Sequence, residues 1–209
     1  MTACLLSQIL AGQGRCALCA FAPRYGGSPE GLLARLEDLR CRYAVIALPE
    51  DRAGDFLKHI DTAVILTRGM GEAAGELVGR SYHAVVNLDD PDGAVCVPLG
   101  IRRWTISERR DEADLTAKNL RLLPFRTEFE AVSRDGITRL SVPLPDGRGL
   151  YPGLAAAAAA LTFGVSMGES ASRLRTAEPV PAGMIPLPGA GPFAVAGYFE
   201  RDTERIREI

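Results

Sequence analysis

His83–Pro91 reads HAVVNLDDP: a short, near-continuous apolar run that gives way to Asn87, Asp89, Asp90 and Pro91. Two earlier runs have the same texture, YAVIAL at 43–48 and TAVIL at 62–66. Between them, the segments Asp55 to Ile60 and Gly71 to Val78 suit short helices. Strands exposed to water on one face alternate apolar and polar residues, whereas these runs do not, so they belong to strands buried on both faces. Alternation of such strands with helices predicts an α/β fold with a mainly parallel sheet flanked by helices.

Upstream, Ala3, Leu5, Leu6, Ile9 and Leu10 recur at helical spacing, Gly12 and Gly14 stop the pattern, and RCALCAF at 15–21 is strand-like. Ser28 followed by Pro29 opens a second helix with the stripe Leu32, Leu33, Leu36 and Leu39. Downstream, 95–142 offers VCVPL, RWTIS, LRLLPF, FEAVS and TRLSVPL, short strands expected to pair antiparallel as a flap on the edge of the parallel sheet. Leu154 and Ala155 to Ala160 then predict a helix with small side chains, and Ser166 with Glu169 forms a capping box for another. The expected organisation is a domain over 1–178, a Pro/Gly-rich linker over 179–192 and a remnant over 193–209 containing the strand FAVAGY.

The chain has 209 residues, 47% of them hydrophobic, and 24 Lys+Arg against 26 Asp+Glu. It therefore has apolar material for a core and no basic excess for nucleic acid or an anionic membrane. Five cysteines and no basic leader predict reduced thiols and a cytoplasmic location.

Few residues carry recognisable chemistry. Cys16 and Cys19 are three apart in a predicted strand, on opposite faces, and read as core cysteines rather than metal ligands. His59 and His83 lie in no nucleophile or zinc motif. Of two G-x-G-x-x-A matches, Gly12, Gly14 and Ala17 end a helix, whereas Gly69, Gly71 and Ala74 follow a strand and open a helix, with Asp89 about twenty residues on. The second is a dinucleotide-loop candidate. Asn87, Asp89 and Asp90 stand where open α/β sheets place ligands, although Asp-Pro-Asp-Gly at 90–93 is also turn chemistry.

The segment VVNLDDP resembles the N-x-D-D-P that ends a central-domain strand in the ATP-dependent Mur ligases of cell-wall precursor synthesis. The resemblance continues in order. ADLTAKNLRLLPFRTEFEAV at 113–132 is similar to A-D-V-x-A-x-N-I…G-x-x-F-x-V, VPLPDGRG at 142–149 to L-P-L-P-G-x-H, and LAAAAAALTFGV at 154–165 to the alanine-rich helix that follows. VPAGM at 180–184 resembles V-P-G-R-M, FAVAGYFERD at 193–202 resembles the V-D-Y-A-H-x-P-D strand, and TACLLSQILAGQGR at 2–15 resembles the helix after the phosphate loop.

The resemblance implies a central ATP-binding domain and places the phosphate loop ahead of Met1. It also implies losses. The magnesium-binding E-x-S-S falls on Ala47, Leu48, Pro49 and Glu50, and D-H-x-D with its downstream lysine falls in RGMGEAAGELVGR, which has neither histidine nor lysine. The adenine-side H-N-x-x-N falls on Gly149, Leu150, Tyr151, Pro152 and Gly153; the arginine of V-P-G-R-M becomes Gly183, and the aspartate and histidine of D-Y-A-H become Gly197 and Glu200. Phosphoryl transfer depends on positioned cations. The resulting expectation is a non-catalytic Mur-ligase-like protein, without catalytic residues, metal or cofactor, keeping Asn87, Asp89 and Asp90 as a vestigial nucleotide site. It would work as a homodimer or in a hetero-complex, possibly with an intact Mur-type ligase. The alternatives are an ATP- and magnesium-dependent amide ligase whose missing groups a partner supplies, and a dinucleotide-binding protein.

Overall fold

The computed structural model describes residues 1–20, 29–47, 60–65, 72–90, 100–178, 184–187 and 195–198. Helix α1, Thr2–Leu10, buries Leu5, Leu6, Ile9 and Leu10, the stripe predicted from their spacing. Strand β1, Cys16–Ala20, and strand β2, Tyr43–Ala47, pair in parallel, with helix α2, Pro29–Asp38, between them in sequence.

A six-stranded sheet follows. Its members are β3 (Thr62–Ile65), β4 (His83–Asn87), β5 (Arg102–Ser107), β6 (Leu115–Leu123), β7 (Arg126–Ser133) and β8 (Gly136–Val142), in that spatial order. Helix α3, Glu72–Gly79, links β3 to β4. The first four strands run parallel and β6–β7–β8 form an antiparallel meander. The mainly parallel α/β fold is thus present. The antiparallel flap is narrower than 95–142, because RWTIS is a parallel strand between β4 and β6; VCVPL lies outside the described residues.

The reason is a sidestep in the chain. Strands β5 and β6 share only the pairs Ile106–Leu115 and Ser107–Thr116, so β6 starts where β5 ends and a short connection suffices despite the parallel direction. Asp114 staples this jog: its Oδ2 accepts from the Thr105 amide at 2.8 Å and the Thr105 hydroxyl at 2.7 Å, while Thr105 Oγ1 accepts from the Asp114 amide at 2.9 Å.

Helix α4, Leu150–Thr162, lies against β3 through β8, and Ala155 to Ala160 are all fully buried. A helix apolar all round belongs inside, and alanine lets sheet and neighbouring helices approach closely from every side. Helix α1 and helix α5, Met167–Thr176, pack beside it. Ser166 Oγ caps α5 by accepting from the Glu169 amide at 3.2 Å, as the capping box predicts.

Beyond α5, β9 (Met184–Leu187) and β10 (Val195–Tyr198) form an antiparallel pair; β9 lies within the Pro/Gly-rich stretch. Among the described residues no helix is long and apolar enough to cross a membrane.

Candidate functional site

The polar end of β4 meets the jog after β5 and the first turn of α4. Asn87 is buried, and its Oδ1 accepts from the Asp89 amide at 3.0 Å, turning the chain as the strand ends. That turn aims Asp89 at the jog. Its Oδ1 accepts from the Ser107 hydroxyl at 2.6 Å, and its Oδ2 from the Glu108 amide at 2.7 Å and the Tyr151 hydroxyl at 2.9 Å. Ser107, fully buried, accepts in turn from the Arg109 amide at 3.0 Å and the Arg110 amide at 2.7 Å. Asp90 is buried beside this network, its amide 3.4 Å from the Asn87 carbonyl oxygen.

The network sets the charge states. Burial pushes the Asp89 carboxyl upward, but hydrogen bonds from Ser107, the Glu108 amide, Tyr151 and the Arg109 amide outweigh it and hold the group below the ordinary carboxylate value. Burial, the bond to Asp89 and the charges of Asp89 and Glu108 push the Tyr151 phenol well above its ordinary value, so it stays a donor. Tyr151 also lies 3.4 Å from Glu108 Oε2.

The first turn of α4 is closely packed. A Cβ placed at Gly149 would lie 2.9 Å from Thr127 Cβ, and one at Gly153 would lie 2.5 Å from Val142 Cγ2. These are two of the positions where the resemblance places polar adenine-side residues. The sheet fills the space next to them.

Asn87, Asp89 and Asp90 are therefore brought together. Gly69 and Gly71 lie outside the described residues, and Ala74 belongs to α3. Leu48, Pro49, Glu50, Gly183 and Glu200 also lie outside them, whereas Ala47 ends β2 and Gly197 lies in β10. Among the described residues no group of three or more His, Cys, Asp or Glu could hold a metal ion. Sequence reasoning did not select Ser107, Glu108 or Tyr151. Taking RWTIS as a parallel strand would have put Ser107 level with the end of β4; nothing near Tyr151 in sequence announces its bond to Asp89.

A mainly parallel open sheet flanked by helices, carrying a polar cluster at its strand ends, defines an α/β domain of the kind that places ligands at strand carboxyl ends. Within that class the chain is Mur-ligase-like. It is 31% identical over 135 residues to UDP-N-acetylmuramoyl-L-alanyl-D-glutamate–2,6-diaminopimelate ligase of Halalkalibacterium halodurans, covering 63% of this chain and 28% of that protein. It is 27% identical over 124 residues to UDP-N-acetylmuramoyl-tripeptide–D-alanyl-D-alanine ligase of Escherichia coli, covering 57% of this chain and 27% of that protein. The structure of UDP-N-acetylmuramoylalanyl-D-glutamyl-2,6-diaminopimelate–D-alanyl-D-alanyl ligase from Acinetobacter baumannii superposes with a TM-score of 0.78 at 18% identity, covering 99% of this chain and 50% of that one. The chain spans under a third of the length of the curated relatives it matches. No protein-family model matches it.

Proposed function

We propose that this chain is a non-catalytic Mur-ligase-like domain, working in the cytoplasm as a binding, scaffolding or regulatory subunit. The observation that carries the reading is the state of Asp89. Both of its carboxylate oxygens are engaged by Ser107, the Glu108 amide and Tyr151, so the carboxylate best placed to meet a nucleotide is committed within the protein. The packing of Gly149 and Gly153 against Thr127 and Val142 supports it, since restored side chains there would collide with the sheet. Among the described residues no cluster of carboxylates or histidines fits a magnesium–nucleotide pair.

The test is calorimetry and phosphate release on the intact protein. ATP should bind weakly or not at all, magnesium-dependent hydrolysis should be absent, and any residual affinity should depend on Asn87 and Asp89. Tight ATP binding unaffected by Asn87→Ala would contradict the reading.

The sequence similarity to a 2,6-diaminopimelate ligase and a D-alanyl-D-alanine ligase supports a second reading, an amide-ligase subunit whose missing groups come from a partner. Magnesium-dependent ATP turnover that appears only on mixing with an intact Mur-type ligase, beyond what that ligase does alone, would favour it. The dinucleotide reading is separable: NADH binding abolished by Gly71→Val would support it.

A further inference from the structure

The jog after β5 turns three consecutive backbone amides to one side. The Glu108 amide donates to Asp89 Oδ2 at 2.7 Å, and the Arg109 and Arg110 amides donate to Ser107 Oγ at 3.0 and 2.7 Å. With both acceptor positions of its oxygen taken, the buried Ser107 hydroxyl can only donate outward, and it gives its proton to Asp89 Oδ1 at 2.6 Å. Tyr151 brings a further O–H from α4 to Asp89 Oδ2 at 2.9 Å. Ser107, Glu108 and Tyr151 thus meet the carboxylate as donors on both of its oxygens.

Successive amides aimed into one concavity are the backbone's means of holding an anion. Charged side chains add little to this one. The Arg109 guanidinium is close enough to favour a negative charge at Tyr151, and Glu108, with Oε2 3.4 Å from the same hydroxyl, opposes it. What selects the occupant is the donor set. A neutral amide in place of the carboxylate would turn an NH2 group toward donors, and an empty cradle would strand the buried Ser107 proton.

The carboxylate itself comes from elsewhere. The donors belong to the jog after β5 and to the first turn of α4, whereas Asp89 enters from the end of β4, aimed by the bond from its amide to Asn87 Oδ1. It holds the position a bound anion would hold, tethered by its own strand. We propose that the jog after β5 and Tyr151 form a binding cradle for one small carboxylate, that the Asp89 side chain closes it as a tethered ligand, and that a free carboxylate enters once that side chain is cut back. This deepens the non-catalytic reading of the same site and rests on it in one respect: the carboxylate there serves the protein and not a nucleotide.

Chemical rescue on the intact protein tests this. Asp89→Ala removes the carboxylate, and formate supplies one of the same size. The thermal midpoint of Asp89→Ala should rise by roughly 3 °C or more in about 0.5 M sodium formate relative to sodium chloride at the same ionic strength, and the gain should saturate with concentration. Wild type has its cradle filled and should show only the general effect of exchanging the salts; Asp89→Asn, whose carboxamide still fills the space, should match it. Adding Ser107→Ala to Asp89→Ala removes a donor and should abolish most of the gain. If Asp89→Ala is unfolded in chloride, its near-ultraviolet circular dichroism should return in formate. A formate gain no larger than that of wild type, a gain untouched by Ser107→Ala, or an unfolded variant that formate does not restore overturns the proposal. Tight ATP binding by wild type overturns the non-catalytic reading whatever formate does, and absence of rescue overturns the cradle whatever ATP does.

Discussion

Tyr151 reaches Asp89 from the first turn of a helix, 62 positions away in sequence. A hydrogen bond to a charged acceptor in a half-buried site contributes about 1.5–3 kcal/mol, so Tyr151→Phe is expected to destabilise the domain within that range, read as a lower denaturation midpoint at unchanged m-value. The pH dependence has a definite sign. The Asp89 carboxyl is depressed in the folded protein, so its contribution is fully present above the ordinary value of 3.8 and is lost as pH falls through the lower folded value. The stability gap between wild type and Asp89→Asn should therefore be constant near neutrality and shrink only below about pH 4. A gap that closed between pH 6 and pH 8 would point to some other group. Of this network the sequence reveals Asn87, Asp89 and Asp90, because they stand together at the end of an apolar run. Ser107 and Tyr151 are invisible there, because their roles depend on a strand direction and a helix position that only the packed fold supplies.

Helix α4 shows what element-scale reading can and cannot deliver. Six consecutive alanines announce a closely approached helix, and all six are buried. Gly153, two residues before them, reads in sequence only as a lost polar motif position, whereas in the fold it is a packing contact with Val142 and Phe129. Gly153→Asn, which restores the polar residue type the resemblance implies, is expected to cost roughly 1–3 kcal/mol through overpacking and to leave ATP affinity unchanged. A stable Gly153→Asn protein with gained ATP affinity would show that the site has lost only this side chain. The apolar run of β4 marks a strand buried along nearly its whole length, whereas YAVIAL at 43–48, which reads the same way, leaves Ala44 and Ala47 exposed on β2, a member of a separate two-stranded sheet. Strand β5 was harder to orient, because Arg102 and Arg103 at its start give it the look of an edge strand. Its direction is fixed by the Asp114–Thr105 staple, a contact without a local sequence signal.

At the scale of the molecule, the described strands form three separate sheets, so β3 and the β1–β2 pair each present a strand edge unpaired by any other described strand. Exposed edges recruit partners. The protein is expected to form a dimer or larger assembly by light scattering at micromolar concentration; a monodisperse, thermally stable monomer would contradict this. The sidestep between β5 and β6 has a further consequence, for the order in which the molecule is made. The meander is joined to the parallel strands through two residue pairs, and α4, which lies across both, comes after all six strands in the chain. During synthesis those strands leave the ribosome with no cover for the face that α4 will occupy, and a nascent chain in that condition is open to aggregation. Chains arrested before Leu150 should bind chaperones and hydrophobic dyes, and those arrested after α5 has emerged should release them together, because one late helix closes the core for strands synthesised long before it.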